Sequence, residues 1–376
     1  MIINTSALFD LKQKLFNHPE KSNEEVITSE ILIDFFSTLK PDQVIKNIGG
    51  NGLAFVFNGK EKGPRIMFRA EMDAIPVNAK NGNQSIKQYA HLCGHDGHMT
   101  ILAGLGKYIS ENKLNRGKVI LLYQPAEEIG IGANNVLNDE KFKAISPNYV
   151  FGFHNLPGSP LNSIITKEGI FSAASAGLKL KFNGIGIHAA YAQSGINPLK
   201  AVARVILEFE ELANKDIFKD LCRITFIGVD TGEINFGTSP GEASLYITVR
   251  AFRSDDFEML LKTLEKTARE IASDEGLTFR MSLEDEFASI NNHTECVNII
   301  SHATHRNGLD FVQQKKPNLW SEDFSQFTDN YAGAMFCLGA GENASPLHTP
   351  EYHFPDELIE TGVKMLISIM DRILSK

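Results

Sequence analysis

Short, continuous apolar runs are the feature that most constrains the fold of this chain. Four of them stand out, at Ile66–Phe68, Val119–Tyr123, Tyr149–Phe153 and Met335–Leu338. Runs of this length without alternating polar positions are typical of strands buried on both faces. One amphipathic helical pattern lies between the first two runs, at Thr100–Ser110, and another follows the last run, at Glu357–Leu374. We therefore predict an α/β fold, a mostly parallel sheet sandwiched by helices.

A different pattern occupies residues 175–286. Leu178–Phe182 alternates as a half-exposed strand does, and Asn197-Pro198 then opens a helix, with Asn as the cap and Pro at the first helical position. The elements that follow are two strands, a helix and a last strand, at Cys222–Val229, Ser244–Phe252, Ser254–Ile271 and Leu277–Leu283. This β-α-β-β-α-β order predicts a ferredoxin-like α+β domain. We place it at 175–286, inserted into a larger domain made of 1–174 and 287–376.

Composition narrows the class of protein. The 376 residues are 43% hydrophobic and 22% charged, with a net charge of −9, which excludes disordered, collagen-like and coiled-coil chains. The acidic balance argues against a nucleic-acid partner, and no apolar run is long enough to span a membrane. The first residues lack the pattern of a signal peptide. With only four scattered cysteines, we expect a protein of the reducing cytoplasm.

Metal-capable side chains follow three of the apolar runs. Val119–Tyr123 leads to Glu127 and Glu128, Tyr149–Phe153 is followed by His154, and Met335–Leu338 leads through a glycine-containing loop to His348. In open α/β sheets the ligand crevice lies beyond the carboxyl ends of the strands. We therefore expect these distant residues to meet there.

The segment His91–His98 adds a thiol, three imidazoles and a carboxylate within eight positions. Cys93 and His95 are two residues apart, so they point the same way in an extended stretch. Together with the strand-end residues they provide five ligands of types that suit zinc or manganese, namely Cys93, His95, Glu128, His154 and His348. Five ligands exceed what one ion takes from a protein, which favours two ions that share a bridge.

At these residues the sequence resembles the two-metal amidohydrolases related to metallo-aminoacylases and carboxypeptidases. The resemblance is to the branch of hippurate hydrolases, N-acyl-amino-acid amidohydrolases and plant auxin-conjugate hydrolases, and it runs nearly end to end. Its most specific elements are Cys93–His98, which reads Cys-Gly-His-Asp-Gly-His, and Pro125–Glu128, which reads Pro-Ala-Glu-Glu. The weaker elements are His18–Glu20, Arg69–Pro76, Gly152–His154, Glu322–Phe324 and Leu347–Pro350.

The resemblance implies a catalytic domain that holds two divalent metal ions and a smaller lid domain that often dimerises. It implies the same five metal ligands and Glu127 as the general base. Asp73 matches a carboxylate that lies behind the ligands. His188 matches a lid histidine that reaches the substrate, and Asn235 is a looser match to a lid asparagine.

The lid departs from the family pattern where substrate is expected to touch. Ile187 replaces a glycine before His188, Gln193 stands near the place of a Pro-His pair, and Phe236–Pro240 replaces a shorter Asn-x-Ile-Pro sequence. Trp320-Ser321 replaces two glycines before Glu322. These changes bear on specificity more than on metal binding.

The function that the resemblance implies is hydrolysis of an N-acyl amino acid to a carboxylate and a free amino acid. Three alternatives stay open. Two are enzymes that use the same site, a peptidase and a deacetylase of an acylated diaminopimelate. The third is a non-catalytic relative that binds metal or peptide, although such a relative has little reason to keep a free acid at Glu127 beside the ligand Glu128.

Overall fold

The computed structural model describes residues 5–81, 84–213 and 217–375. They form two compact units. The first contains Met1–Phe171, Ile290–Lys316 and Glu322–Lys376, and the second contains Ser172–Ser289 and Pro317–Ser321. The chain thus leaves the first unit after Phe171 and returns to it at Ile290, within a few residues of the boundaries placed at 174 and 287 from the sequence.

The first unit is built on an eight-stranded sheet. In spatial order its strands are Gln43–Ile48, Gly52–Asn58, Arg116–Gln124, Glu61–Glu71, Tyr149–Leu156, Ala332–Gly339, Ile164–Thr166 and Phe311–Gln313. The four central strands are parallel to one another. Antiparallel pairs join the first three strands in this order, and another joins Ala332–Gly339 to Ile164–Thr166. This mixed but mostly parallel sheet confirms the predicted fold class.

Helices cover both faces of this sheet, which is why its apolar runs are continuous. Phe68 and Phe151 lie in the main core, while Met67 and Val150, on the opposite face, are equally buried. The helices are Ser6–Phe16, Val26–Ser37, His95–Glu111, Gly132–Asn138, Glu140–Lys143, Thr294–Arg306, Ser325–Asn330 and Glu357–Leu374. Two short strand pairs complete the unit, Ile75–Asn81 with Gln84–Ala90 and Gly169–Ile170 with Asn291–Asn292.

The second unit has the ferredoxin-like topology. Its four-stranded antiparallel sheet has the spatial order Cys222–Asp230, Glu242–Ala251, Ala174–Asn183 and Thr278–Phe287, and its helices are Leu199–Ala213 and Ser254–Asp274. The Asn197 side chain caps the first helix as predicted, because its Oδ1 accepts the Leu199 N–H at 2.9 Å. A short strand pair, Ile187–His188 with Thr238–Ser239, and a 3₁₀ helix at Ala189–Ser194 lie outside this sheet.

Pro317–Ser321 differs from the sequence-based assignment, which gave all of 287–376 to the larger domain. The segment belongs to the second unit because its polar groups are bonded there. The Ala173 N–H donates to the Asn318 carbonyl at 3.0 Å, and Arg250 Nη1 donates to the Leu319 carbonyl at 2.9 Å and to Ser321 Oγ at 3.1 Å. These bonds join residues far apart in the chain, so no local pattern predicts them.

None of the helices in the described ranges is both long and apolar enough to cross a lipid bilayer.

Candidate metal centre

The candidate metal centre lies at the carboxyl ends of the parallel strands, in the first unit. Glu128 follows strand Arg116–Gln124, His154 lies near the end of Tyr149–Leu156, and His348 follows Ala332–Gly339. Cys93 and His95 come from the loop that opens helix His95–Glu111. Gly94 adopts φ +91° between them, and a Cβ there would lie 2.4 Å from Asn155 Oδ1, so this tight turn needs glycine.

The structure brings all five predicted ligands together. Cys93 Sγ lies 3.3 Å from His154 Nε2, and Glu128 Oε1 lies 3.8 Å from both His95 Nε2 and His348 Nε2. The candidate ligand atoms of Cys93, His95 and His154 all lie within 4.8 Å of one another, and so do those of Cys93, Glu128 and His348. Because Cys93 belongs to both sets, the two sets form one continuous cluster.

Two of the histidines are oriented for metal binding by the hydrogen bonds of their Nδ1 atoms. His95 Nδ1 lies 2.8 Å from the Asp73 carbonyl, and His154 Nδ1 lies 2.8 Å from the Asn155 carbonyl. A carbonyl only accepts hydrogen bonds, so each Nδ1 carries the proton. In a neutral ring Nε2 is then free to bind a cation, and in both residues Nε2 is the atom that points into the cluster.

Unpartnered buried atoms show that this donor set fits a cation. His95 Nε2 and Glu128 Oε1 are both buried, and neither has a hydrogen-bond partner among the described residues. Such atoms are costly to bury unless something compensates them. A thiol, imidazoles and a carboxylate are donors that zinc and manganese accept.

Burial is uneven across the cluster. Cys93, His95 and His154 are buried, whereas the His348 side chain is 53% exposed. His348 has the left-handed φ of +63°, and its N–H donates to the Leu92 carbonyl at 2.9 Å, which ties it to the Cys93 loop. Of the five candidate ligands, His348 is therefore the one on the solvent side.

The pKa values of Cys93, His95 and Glu128 are all raised in this buried cluster, which holds more acidic groups than positive charges to balance them. Burial raises the pKa of the Cys93 thiol well above its usual value, and the Glu128 and Glu127 carboxylates add to the effect. Burial also raises the pKa of Glu128 to about 7. Burial lowers the pKa of His95, but the Asp73 hydrogen bond and the Glu71 and Glu128 charges outweigh it and raise this pKa to about 10. Positive charge inside the cluster would stabilise the thiolate and the carboxylate that metal binding needs.

Glu127 is a second carboxylate beside the candidate ligands. It is buried, and one of its oxygens lies within 4.8 Å of the candidate ligand atoms of His95 and Glu128. Burial raises the pKa of Glu127 well above its usual value, and Glu322, Glu128 and Asp323 raise it further. A carboxyl group with a raised pKa can both accept and return a proton near neutral pH.

Asp73 lies where the resemblance placed a supporting carboxylate. Its Oδ2 accepts hydrogen bonds from Ser22 Oγ at 2.7 Å and from the Glu128 N–H at 3.0 Å. Its backbone carbonyl holds His95. One residue thus fixes the direction of two candidate ligands.

A charged network around Arg69 was not predicted from the sequence. Arg69 is fully buried and pairs with Glu71, with Glu322 at 2.8 Å and with Asp323 at 2.6 Å. Gln124 joins it by accepting from Arg69 Nε at 2.8 Å. The sequence does contain a signal, because Arg69 and Glu71 lie at the end of the apolar run Ile66–Phe68, and Glu322 and Asp323 belong to one of the family motifs.

His98 is a further residue of this site for which the sequence predicts no role. Its Nδ1 lies 2.7 Å from Glu71 Oε2, its Nε2 lies 2.5 Å from Asn155 Oδ1, and its ring packs edge-on against His154 at 4.7 Å between centroids. Asn155 in turn donates to the Tyr352 hydroxyl at 2.6 Å. The sequence does indicate a place for His98, because it follows His95 by three residues in the same helix and so lies on the same face, one turn further along.

The predicted substrate residues His188 and Asn235 both lie in the second unit. His188 pairs with Thr238, and its Nδ1 accepts the Ala190 N–H at 3.1 Å, so in the neutral ring Nε2 carries the proton. Asn235 Oδ1 accepts the Gly237 N–H at 2.8 Å. The neighbouring Phe236, one of the departures from the family pattern, is 98% exposed.

Comparison with known proteins identifies the family. Residues 67–372 match the peptidase family M20/M25/M40. An N-acetyldiaminopimelate deacetylase of Halalkalibacterium halodurans is 25% identical, over 98% of this chain and 99% of that protein. An IAA-amino acid hydrolase of Arabidopsis thaliana is 27% identical, over 97% of this chain and 86% of that protein.

Solved structures share the fold. A dinuclear metal-binding peptidase of the M20 family from Bacillus subtilis superimposes with a TM-score of 0.81 at 23% identity, covering 99% of this chain and 98% of its own. This likeness supports the fold, and the family match confirms the resemblance seen in the motifs. The chain belongs to the peptidase family M20/M25/M40 and is a metal-dependent amide hydrolase.

Proposed function

We propose that this protein hydrolyses the amide bond of N-acyl amino acids, with two divalent cations held by Cys93, His95, Glu128, His154 and His348. The observation that carries the proposal is the pairing of a candidate ligand, Glu128, with an adjacent buried carboxylate, Glu127, at one edge of the cluster. A site that only bound metal would have no use for the second carboxylate.

The ligands divide into a buried group and one solvent-side residue. Cys93, His95 and His154 provide a thiolate and two Nε2 atoms, and Glu128 adds a carboxylate whose Oε1 is buried. His348 completes the side that faces solvent. Divalent cations in such a site supply a Lewis acid, which acidifies water and polarises an amide carbonyl. We propose zinc or manganese, because zinc suits the soft thiolate and both suit the nitrogen and oxygen donors.

Glu127 is the proposed general base and acid. Its carboxylate oxygen takes a proton from the attacking water and returns it to the nitrogen of the leaving amine. Burial and three neighbouring carboxylates raise its pKa and so favour the protonated form that must later donate. Arg69 opposes this shift, and it also helps to hold the pKa of Glu71 well below its usual value.

We propose that His188 and Asn235 contact the substrate. His188 Nδ1 is already occupied by the Ala190 N–H, so Nε2–H is free to donate to the oxyanion that develops on the carbonyl oxygen. The exposed Phe236 beside Asn235 then offers apolar surface to the acyl group. This part of the proposal is tested by the selectivity of Phe236→Ala among acyl groups.

Two relatives support this substrate class. One is named for an acetylated diaminopimelate and the other for an auxin–amino acid conjugate, and both substrates are N-acyl amino acids. The deacetylase of acylated diaminopimelate is the second candidate function, favoured by a match that covers 99% of that relative. A free amine and carboxylate at the far end of the side chain would distinguish that substrate from simple acyl amino acids.

The test is a substrate panel coupled to metal analysis. Metal-free protein is loaded separately with zinc, manganese and cobalt. It is then assayed on hippurate, N-acetyl amino acids, N-acetyldiaminopimelate, an auxin conjugate and dipeptides, with bound metal measured by mass spectrometry. We expect about two metal ions per chain and turnover of N-acyl amino acids. Turnover of dipeptides alone would make it a peptidase, and full metal loading without any turnover would make it a binding protein.

We further propose a homodimer formed through the second unit, in a cytoplasmic protein. Strand Cys222–Asp230 is at the edge of its sheet and exposes apolar side chains, with Ile227 64% and Val229 45% exposed. Such an edge is a template for strand pairing unless it is covered. Cys93, Cys222, Cys296 and Cys337 are all free thiols, which is the state a reducing compartment maintains.

A further inference from the structure

The turn that carries Glu127 and Glu128 contains a strained residue. Ala126 has φ +55°, in the left-handed region that costs a residue with a side chain roughly 1 kcal/mol. Two hydrogen bonds hold it there. Its N–H donates to Glu25 Oε1 at 2.8 Å, and its carbonyl accepts the Gly132 N–H at 3.0 Å.

The partner of the Ala126 N–H is itself unusual. Glu25 is fully buried and immediately precedes helix Val26–Ser37, 101 residues before Ala126. The same Oε1 also accepts the Asn23 N–H at 2.9 Å, and Oε2 lies 3.4 Å from Asn51 Nδ2. A buried carboxylate costs free energy unless its hydrogen bonds compensate it. The shortest hydrogen bonds of this carboxylate come from two backbone N–H groups, and one of these groups is in the strained turn.

The turn is fixed at both ends, with the two functional carboxylates between the anchors. Glu25 holds Ala126 on one side, and Asp73 holds the Glu128 N–H at 3.0 Å on the other. The conformation of Ala126 sets the direction in which the chain enters Glu127. A rotation at Ala126 therefore moves the Glu127 and Glu128 carboxylates relative to the other ligands.

We propose that Glu25 is a positioning residue for Glu127 and Glu128. It holds Ala126 in the left-handed conformation that sends one carboxylate to the metal cluster and leaves the other free as the base. The effect on turnover rests on the function proposed above. The effect of Glu25 on metal affinity does not depend on that function, because it requires only that Glu25 helps to position the ligand Glu128.

The experiment is a double-mutant cycle between Glu25→Ala and Ala126→Gly. Glycine adopts the left-handed conformation without the steric cost. In the Ala126→Gly background, the hydrogen bond from Glu25 is therefore less important for holding the turn in that conformation. Glu24→Ala is the matched control, because Glu24 is the exposed neighbour of Glu25. Each variant is measured for kcat, for KM and for the dissociation constant of zinc from metal-free protein by chelator competition.

We expect Glu25→Ala to lower kcat about 10- to 100-fold and to weaken zinc binding by about 10-fold, with KM changed by less than about 3-fold. In the Ala126→Gly background the same substitution should lower kcat by no more than about 5-fold. Glu25→Gln should remain close to wild type, because the amide oxygen still accepts from Ala126. Glu24→Ala alone should leave kcat near the wild-type value, and Ala126→Gly alone provides the reference kcat for the double variant.

Equal losses of kcat and zinc affinity in the two backgrounds would overturn the proposal, since Glu25 would then support the fold in general. If Glu25→Ala prevents folding by circular dichroism, folding of Glu25→Ala/Ala126→Gly supports the proposal, and failure of both variants overturns it. The zinc measurement separates this inference from the proposed function. A wild-type protein that cleaves no N-acyl amino acid refutes the function, yet a background-dependent loss of zinc affinity would still place Glu25 behind Glu128.

Discussion

Replacing Arg69 with Met tests whether one buried guanidinium neutralises the acids beneath the metal centre. Arg69 is fully buried and pairs with Glu71, Glu322 and Asp323, and methionine keeps an apolar stem of similar length without the charge. Removing one partner of a buried ion pair costs about 3–5 kcal/mol. That is a large part of the roughly 5–15 kcal/mol by which a native protein is stable.

The loss of stability in Arg69→Met should depend on pH, because a carboxylate that has lost its positive partner can become neutral by binding a proton. Burial raises the pKa of Asp323 to about 7 even though Arg69 opposes the shift, and loss of Arg69 raises this pKa further. A carboxyl group whose pKa is higher in the folded than in the unfolded state favours folding at low pH. That contribution is lost as the pH rises through the folded pKa. The destabilisation should therefore be smaller at about pH 5 than at about pH 8.

The measurement is urea unfolding of metal-free protein at both pH values, followed by circular dichroism. Arg65→Met is the matched control, because Arg65 lies in the same strand but is exposed. It should change stability by less than about 1 kcal/mol. An Arg69→Met protein within about 1 kcal/mol of wild type at pH 8, or equally destabilised at both pH values, would refute the role assigned to Arg69.

Four further substitutions test the site and the dimer. Glu127→Gln should lower kcat by about 10²–10⁴-fold with metal content unchanged, and near wild-type turnover would remove Glu127 as the base. Cys93→Ala should lower the metal bound per chain, as measured by mass spectrometry, and an unchanged stoichiometry would exclude Cys93 as a ligand. His188→Ala should lower turnover with full metal occupancy, whereas metal loss would contradict its assignment to substrate. Ile227→Lys should convert a dimer to a monomer in light scattering, with Val44→Lys on the edge strand of the other sheet as control; a dimer that survives Ile227→Lys forms elsewhere.

The sequence predicts the meeting of the five candidate ligands because each signal is local. Glu128, His154 and His348 each follow an apolar run, and parallel strands end at the same edge of a sheet. Cys93 and His95 lie two positions apart in one motif, in the loop that opens a helix. The ends of the strands therefore bring three of the residues together, and the motif supplies the other two.

The supporting residues could not be found in this way. Arg69 pairs with Asp323 across 254 positions, and Glu25 reaches Ala126 across 101. Read alone, Glu25 is an ordinary charged side chain that would be expected at the surface. The position of Arg69 beside an apolar run does not say which acids it pairs with. These partners become visible only in the tertiary structure. The same holds for Pro317–Ser321, whose hydrogen bonds to the second unit follow no local pattern.

The spatial order of the strands has a consequence for synthesis of the protein. Strand Ala332–Gly339 lies between Tyr149–Leu156 and Ile164–Thr166, although more than 150 positions of the chain separate it from them. When strand Ala332–Gly339 leaves the ribosome, four of the proposed ligands and the whole second unit have already been synthesised, so the central gap in the first sheet closes only after them. His348 is synthesised later still, so the set of five proposed ligands is incomplete until the chain beyond strand Ala332–Gly339 has been made.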